Sequence, residues 1–338
     1  MVSRQNIVVA VMLILVIGVL GAFTLFQPVD DVIPEGPYTI IRPPSDVTCM
    51  VPIGDTLWVG GKLGVVGIKL QGCQSVAFPY DVKLSYVRHM IAEGEALLVG
   101  HDNGYTVFNG STYRTYTSAD GLVDGRVNYI LKLSSGELWL GTTQGAYHRP
   151  GDQWLRIAEE DGLLNNQVNV MLEDGDGGIW FGSDVAPKGG ISMLKDGEWT
   201  YFTTENGLPH NDINFLYMDH DGSLWAATGL LDIGGAVHFV KQDGSWAISE
   251  VFTVDDGLPE GKVRSVYRDP FGILWISSEN NGMARLEDGN VRVLTEALGL
   301  SHSEVKVLWT DSAGNLWLGT RNGVTVLSLE DQNDLSLR

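Results

Sequence analysis

The chain has 338 residues, and its 42 acidic residues against 22 Lys and Arg give a formal net charge of −20 at pH 7. Nucleic acids and anionic lipid surfaces are bound through an excess of Lys and Arg, so this charge argues against a nucleic-acid partner. The 42 glycines, 10 tryptophans and 44% hydrophobic residues are typical of a globular, turn-rich chain and exclude a disordered one.

The first predicted element is a transmembrane signal-anchor helix at residues 6–26. This run carries no charged side chain, and a helix of that length rises about 30 Å, the thickness of the hydrocarbon core of a bilayer. Arg4 precedes the run, and Asp30 and Asp31 follow it. By the positive-inside rule, residues 1–5 are expected to be a cytoplasmic stub and the rest to be extracytoplasmic, in the periplasm or at the cell surface.

A cleaved signal peptide is the alternative interpretation of the same run. Its apolar region is usually shorter, and no clear cleavage motif of small residues follows Leu25. Residues 27–37 contain three prolines and are expected to be a linker. The two cysteines, Cys49 and Cys73, fall within one repeat unit, which leaves a disulfide and two free thiols both open.

Self-similarity at a regular spacing dominates the sequence from about residue 40 onward. Five Gly-Leu steps are each followed, 18 residues after the glycine, by the tryptophan of a Leu-Trp or Ile-Trp pair. These glycines and tryptophans are Gly121 and Trp139, Gly162 and Trp180, Gly207 and Trp225, Gly257 and Trp275, and Gly299 and Trp317. Two weaker copies lie around Trp58 and Leu98, and the seven positions are 40 to 50 residues apart. The sequence therefore contains seven repeat units.

Each unit predicts four short β-strands. The third unit shows the pattern, with a glycine in its first turn, where a hairpin needs a residue that tolerates positive φ. Its predicted strands are Val127–Leu133, Leu138–Gly141, Ala146–Arg149 and Trp154–Ala158. Four antiparallel strands in about forty residues are typical of one propeller blade. The predicted fold is therefore all-β: a seven-bladed β-propeller of four-stranded blades over residues 38–330, preceded by the transmembrane helix.

The two ends of the propeller are expected to meet in one blade. The last unit lacks an outer strand, and Tyr38–Arg42 has the pattern of a strand ahead of the first unit. We expect Tyr38–Arg42 to pair with Val324–Leu329, because such closure removes exposed sheet edges. Residues 331–338 are then left as a polar tail. The repeated tryptophans share one position of the second strand, so we expect them in the packing between blades.

Several repeats resemble a known family. The stretches Asp256-Gly-Leu-Pro, Val263-Arg-Ser-Val, Asp269-Pro-Phe-Gly-Ile-Leu-Trp275 and Asn315-Leu-Trp-Leu-Gly-Thr-Arg-Asn-Gly-Val324 are similar to the two-component regulator propeller repeat. That resemblance implies a ligand-binding, extracytoplasmic sensor propeller, of a kind often linked to histidine kinases and to carbohydrate sensing. Here the apolar segment precedes the propeller and no kinase sequence follows, so we expect a ligand- or partner-binding propeller without phosphorelay.

The inner strands supply most of the candidate binding residues. The second residue of each inner strand is polar and never acidic, although acids outnumber bases in the chain. These residues are expected to surround the mouth of the central channel, where three cations and three amides suit an anionic or carbohydrate ligand. In chain order they are Thr48, Arg88, Asn128, Asn169, Asn214, Arg264 and Lys306. A polar strand start without a binding role is the alternative.

Two further features are predicted on the same face. His210 and His302 lie in loops that lead into inner strands, and they complete the set of candidate ligand-binding residues. The connections between second and third strands are longest at Ser183–Gly190 and Thr228–Gly235, and insertions on one face commonly mark a binding face.

No arrangement for catalysis is recognisable in the sequence. It contains no nucleophile–base pair, metal-ligand spacing or carboxylate pair, so no catalytic residue, metal or cofactor is predicted. The Asp-rich segment Asp174–Gly178 lacks the ligand series of a calcium loop, and an Asx-type turn is expected there. The predicted function is a membrane-tethered, non-catalytic module for ligand sensing or carbohydrate binding. A protein-interaction scaffold at the cell surface and a propeller lyase or hydrolase are the alternatives.

Overall fold

The computed structural model describes residues 38–122 and 125–332, and the predicted transmembrane segment at residues 6–26 lies outside them. Within the described ranges, no helix is both long enough and apolar enough to span a bilayer. These residues contain 28 β-strands, which form seven four-stranded antiparallel sheets. The predicted seven-bladed β-propeller is thus confirmed for this part of the chain.

Blades 1 to 6 are each built from four consecutive strands, with the inner strand first. Blade 1 contains β2 (Val47–Ile53), β3 (Thr56–Gly61), β4 (Gly64–Lys69) and β5 (Ser75–Val76). Blade 2 contains β6 (Val87–Glu93), β7 (Ala96–His101), β8 (Gly104–Asn109) and β9 (Thr112–Tyr116). Blade 3 contains β10 (Val127–Lys132), β11 (Leu138–Thr142), β12 (Gly145–Arg149) and β13 (Leu155–Ile157).

The next three blades repeat this order. Blade 4 contains β14 (Val170–Glu173), β15 (Ile179–Ser183), β16 (Gly190–Lys195) and β17 (Glu198–Phe202). Blade 5 contains β18 (Ile213–Met218), β19 (Leu224–Leu230), β20 (Ile233–Gln242) and β21 (Ser245–Phe252). Blade 6 contains β22 (Val263–Arg268), β23 (Leu274–Ser278), β24 (Met283–Glu287) and β25 (Asn290–Leu294).

Blade 7 joins both ends of the propeller. It contains β26 (Val305–Thr310), β27 (Leu316–Thr320), β28 (Gly323–Leu327) and, as its outer strand, β1 (Tyr38–Ile41). Tyr38 pairs with Leu327 and Ile41 with Val324, so the expected closure is confirmed. β28 ends two residues earlier than predicted, because residues 329–332 form a helical turn. That turn buries Gln332, which the sequence assigns to the tail and which donates to Gly314 O at 2.8 Å.

The repeated tryptophans lie between the blades, as predicted. Trp139, Trp180, Trp225, Trp275 and Trp317 are at most 4% exposed. In blades 4 to 7 the indole Nε1 donates to an aspartate six residues earlier, at 2.9 to 3.1 Å. These aspartates are Asp174, Asp219, Asp269 and Asp311. A buried indole N–H needs such a partner, and the aspartate in the first hairpin turn provides it.

The repeated Gly-Leu step has an equally local cause. Each glycine follows a short 3₁₀ turn and has a φ between +96° and +121°, which favours glycine. The turns are Ser118–Asp120, Glu159–Asp161, Thr204–Asn206, Val254–Asp256 and Glu296–Leu298. An outer-strand side chain of the following blade lies over the glycine, for example Trp199 over Gly162 and Tyr38 over Gly299. Tyr38 therefore covers the turn glycine beside blade 7 as Trp199 covers the one beside blade 4.

The two cysteines are not joined. Cys49 is buried in β2, Cys73 lies between β4 and β5 of the same blade, and both are free thiols. Burial raises the pKa of Cys49 to about 12, so this thiol stays protonated at neutral pH.

Candidate functional site

A cavity of about 340 Å³ occupies the central channel at the end where the inner strands begin. We call this end of the channel the mouth. The structure places all seven predicted residues from the second inner-strand position in the wall of this one cavity. We call them the ring residues: Thr48, Arg88, Asn128, Asn169, Asn214, Arg264 and Lys306. Ligand binding by them stays a prediction.

The ring residues interrupt the regular ladder of the inner strands. In β10, for example, the pairing with β11 shifts between Val127 and Tyr129, which leaves Asn128 in a β-bulge. The same shift occurs at the ring residue in five other inner strands of the described chain. In blade 4, β14 begins one residue after Asn169. Because a bulge re-aims one side chain out of the strand alternation, it explains how six of the seven polar residues reach the channel.

Four ring residues also hold neighbouring blades together. Each donates to the carbonyl oxygen of the residue that precedes the next ring residue along the chain. The bonds are Thr48 Oγ1 to Val87 O (2.7 Å), Asn128 Nδ2 to Val168 O (3.0 Å), Asn169 Nδ2 to Ile213 O (3.1 Å) and Asn214 Nδ2 to Val263 O (3.0 Å). Their polarity therefore has a structural cause, and a binding role for these residues stays a prediction.

The three ring cations are paired with carboxylates. The ion pairs are Arg88 with Asp102 (2.9 Å), Arg264 with Glu304 (3.2 Å), Lys306 with Glu304 (3.5 Å) and Lys306 with Asp46. Burial raises the pKa of Asp46, but hydrogen bonds from Lys306 and Tyr86 outweigh it and lower that pKa below its usual value. The positive charge of the ring is therefore largely neutralised inside the protein.

These acids do not stand at the register position of the ring residues, so a comparison of the repeats at that position does not show them. Asp46 and Glu304 each stand two residues before a ring residue, and Asp102 lies on the connection after β7. Comparing the units two residues before the ring would have shown acids at Asp46, Asp212 and Glu304.

The inner part of the cavity is apolar and aromatic. It is lined by Met50, Met90, Phe215 and a stacked pair, His89 and Tyr129, whose rings lie 3.8 Å apart. Burial lowers the pKa of His89 to about 4 and raises that of Tyr129 to about 12. Both rings are therefore uncharged at neutral pH, and a ligand would meet polar groups at the mouth and an uncharged surface beneath them.

His210 and His302 do not line the cavity. His210 Nδ1 accepts a hydrogen bond from Asp212 N at 3.0 Å, and His302 Nδ1 accepts one from Glu304 N at 2.9 Å. Each histidine fixes the backbone of the loop that leads into its inner strand. The structure does not bring them together with the ring residues.

The two long connections differ from one another. The connection Ser183–Gly190 is a loop that places Asp184 in the cavity wall. The segment Thr228–Gly235 is instead mostly strand, because β19 continues to Leu230 and β20 starts at Ile233. The tip of this hairpin exposes three apolar side chains, namely Leu230 (41%), Leu231 (71%) and Ile233 (65%).

The Asp-rich turn of blade 4 is an Asx-type turn. Asp174 Oδ1 accepts from the backbone N–H groups of Asp176 and Gly178, each at 2.9 Å. Burial raises the pKa of Asp174, but hydrogen bonds from Trp180, Asp176, Gly178 and Trp246 lower it on balance. Across the described residues, no group of three or more His, Cys, Asp or Glu side chains could hold a metal ion.

Comparisons with known proteins agree with this architecture. The sequence profile of the family described as "Two component regulator propeller" matches residues 162–184, 207–229 and 257–280. No curated protein matches the chain. Of solved structures, the extracellular domain of the putative hybrid two component system BT3049 from B. thetaiotaomicron is similar with a TM-score of 0.70 and 18% identity.

Two other solved structures show the same fold. They are PorZ, a surface component of the type-IX secretion system of Porphyromonas gingivalis (TM-score 0.62, 15% identity), and virginiamycin B lyase from Staphylococcus aureus (TM-score 0.66, 12% identity). Each of the three alignments covers 86% of this chain. This chain spans 42% of the BT3049 domain, 47% of PorZ and 98% of the lyase. At these identities the likeness shows the fold alone.

The class of the protein follows from the fold and the matched segments. It is a seven-bladed β-propeller with a polar-ringed cavity at one end of its channel. Three of its segments, residues 162–184, 207–229 and 257–280, match the two-component regulator propeller repeat that the motifs in the sequence resemble.

Proposed function

We propose that this chain is a membrane-tethered, extracytoplasmic propeller that recognises a small carbohydrate in its central cavity without catalysing a reaction. The observation that carries the proposal is the cavity itself. Its volume of about 340 Å³ lies at the lower end of the range of small-molecule sites, and it combines a polar mouth with an aromatic interior. Sugars need this combination, because their hydroxyl groups require hydrogen-bonding partners while their C–H faces pack on aromatic rings.

Two relatives in fold support the extracytoplasmic location and the sensing role. One is the extracellular domain of a putative hybrid two component system, and the other is a bacterial surface component. The apolar, uncharged segment at residues 6–26 supports the tether. An anionic ligand is supported less than the ring residues alone suggested, because Arg264 and Lys306 already have carboxylate partners.

A cavity-filling variant tests the proposal. Arginine already occupies the ring position in blades 2 and 6, so Thr48→Arg is expected to fold while it fills part of the cavity. Sugars would be screened on the full-length chain by thermal shift, followed by titration calorimetry. We expect Thr48→Arg to weaken any bound sugar at least about ten-fold, because one lost contact of about 1.4 kcal/mol already has that effect.

Thr200→Arg is the matched control, because it adds the same side chain to an exposed position of the outer strand β17. It should leave binding unchanged. Sugar binding that survives Thr48→Arg at full affinity would place the ligand outside the cavity and overturn the proposal.

A second candidate function, a surface for a partner protein, is favoured by the β19–β20 hairpin. Leu231 and Ile233 are exposed at its tip, on the same face as the mouth, and Leu231 has a φ of +55°, which a leucine rarely adopts. Exposed apolar side chains on a projecting hairpin are typical of interaction sites.

The paired substitution Leu231→Asn with Ile233→Thr tests this second function. Asparagine tolerates positive φ, so the variant should be at least as stable as the parent chain. We expect it to abolish co-purification of a surface partner while sugar binding is retained. Unchanged recovery of the partner would show that the hairpin is not its binding site. Val254→Thr, which changes an exposed valine on a different turn, serves as the control.

A further inference from the structure

The amide groups of Asn169 and Asn214 have a fixed orientation. Asn214 Nδ2 donates to Gly229 O and to Val263 O, each at 3.0 Å, so both of its N–H groups are used. Carbonyl oxygens only accept hydrogen bonds, which forces the nitrogen to face them and leaves Oδ1 as the group offered by this cavity-lining residue. Asn169 Nδ2 donates to one carbonyl oxygen, that of Ile213, at 3.1 Å, which likewise turns the amide nitrogen toward the backbone. Neither Oδ1 accepts a hydrogen bond from a described residue.

Asp184 adds a negative charge to the same sector of the mouth. It lines the cavity from the loop between β15 and β16, and Gln167 Nε2 donates to its Oδ1 at 2.5 Å. No Lys, Arg or His of residues 38–122 and 125–332 forms an ion pair with it. Its carboxylate also contributes, after burial, to raising the pKa of the neighbouring Asp212. His210 and Lys262 act on the pKa of Asp212 in the opposite direction, so the charge that this sector, formed by blades 4 and 5, offers to a ligand is that of Asp184 itself.

The remaining sectors do not offer such a site. Glu304 is already shared between Arg264 and Lys306. Across the channel mouth, Arg88 and Arg126 both approach Asp102, at 2.9 and 3.9 Å, so that carboxylate is already engaged by cations. Among the described residues that line the mouth, the carboxylate and amide oxygens without a cationic partner are thus those of Asp184, Asn169 and Asn214, in blades 4 and 5.

As a refinement that rests on the proposed function, we propose that the sugar carries a protonated amine, bound by Asp184, Asn169 and Asn214. A primary ammonium group has three N–H donors, and the sector offers it two amide oxygens and one carboxylate. Phe215 follows Asn214 in the cavity wall and supplies an aromatic surface, to which a cation is attracted. The ligand class is therefore an amino sugar with a free amine.

Three sugars of equal ring size test the amine. Glucosamine and glucuronic acid each differ from neutral glucose in one substituent, which at pH 6 is an ammonium group at C2 in glucosamine and a carboxylate at C6 in glucuronic acid. Calorimetric titration of the full-length chain should show glucosamine bound at least about ten-fold more tightly than glucose, and glucuronic acid bound most weakly. Equal binding of glucosamine and glucose, tighter binding of glucuronic acid, or no binding of glucosamine at millimolar concentration would each overturn the inference.

Asp184→Asn locates the amine. The substitution keeps the shape of the side chain and an oxygen that can accept from Gln167, while it removes the charge. We expect it to lower the affinity for glucosamine about ten-fold and to leave that for glucose unchanged. Glu198→Gln removes the same charge from an exposed position of β17 and should have no effect. A preference for glucosamine that persists in Asp184→Asn contradicts the assignment.

The two proposals fail in different ways. If Thr48→Arg weakens all three sugars while Asp184→Asn changes none, the cavity is the site and the amine assignment is wrong. If Thr48→Arg leaves glucosamine bound at full affinity, the cavity is not the site and both proposals are wrong.

Discussion

A single side chain in the first hairpin turn decides whether the buried tryptophan of a blade has a hydrogen-bonding partner. Blades 4 to 7 have aspartate there, whereas blade 3 has Leu133. The backbone of the turn is the same, since Leu133 N bonds to Glu137 O as Asp174 N bonds to Gly178 O. Trp139 Nε1 is accordingly buried without a partner. A buried donor of this kind costs about 1–3 kcal/mol.

Leu133→Asp is expected to stabilise blade 3. The new carboxylate can accept from Trp139 Nε1, a charge-assisted bond that offsets the loss of the partly buried leucine. We expect a net gain of about 1 kcal/mol in the free energy of unfolding, measured by urea denaturation. Leu133→Ala removes the leucine without adding an acceptor and should destabilise the protein. If the aspartate variant is no more stable than the alanine variant, the hydrogen bond does not form.

At the scale of strands and loops, the sequence predicts what is periodic and misses what interrupts the period. The four strands of blade 3 were predicted to within two residues, because alternation and turn glycines repeat in every unit. The bulges at the ring residues were not foreseen, since an added residue in a ladder depends on the partner strand. The inter-blade bonds of Asn128 and Asn214 depend in turn on those bulges.

The candidate site shows the same limit. The ring residues could be found from the sequence, because they share one register position in all units. The acidic partner of Arg88 could not, since Asp102 shares no register position with the other acids and reaches Arg88 from the connection after β7. His210 and His302 were predicted from proximity along the chain, which does not determine where a loop side chain points.

At the scale of the whole molecule, closure of the propeller depends on how Tyr38 packs against Gly299. A Cβ atom on Gly299 would lie 1.6 Å from Tyr38 Cδ2, so only glycine allows β1 to dock on blade 7 in this position. The φ of Gly299 is +106°, which adds a conformational penalty for any other residue.

Gly299→Ala is therefore expected to destabilise the propeller more than a glycine-to-alanine substitution at a comparable position elsewhere. Gly272→Ala is the matched control, because Gly272 has a φ of +90° and nothing within 4 Å of its added Cβ. The control should cost about 1–2 kcal/mol from the backbone alone, and Gly299→Ala about 1–3 kcal/mol more from the clash. Thermal and urea unfolding measure both.

Adding Tyr38→Ala should restore part of the stability of Gly299→Ala, because it removes the clashing ring. Equal losses for Gly299→Ala and Gly272→Ala would show that β1 does not dock as described.

Because β1 pairs with β28, the first strand of the propeller is synthesised long before its partner. Arg42, just after β1, donates to the carbonyl oxygen of Asn322, a residue 280 positions later. A ribosome adds about 5–20 residues per second, so the first strand exists for on the order of tens of seconds before its partner is made. Contacts between residues that lie so far apart in the sequence form late, and they slow folding whatever their final strength. A chain whose synthesis stops before β28 would present an open propeller with unpaired strands, which chaperones and proteases recognise.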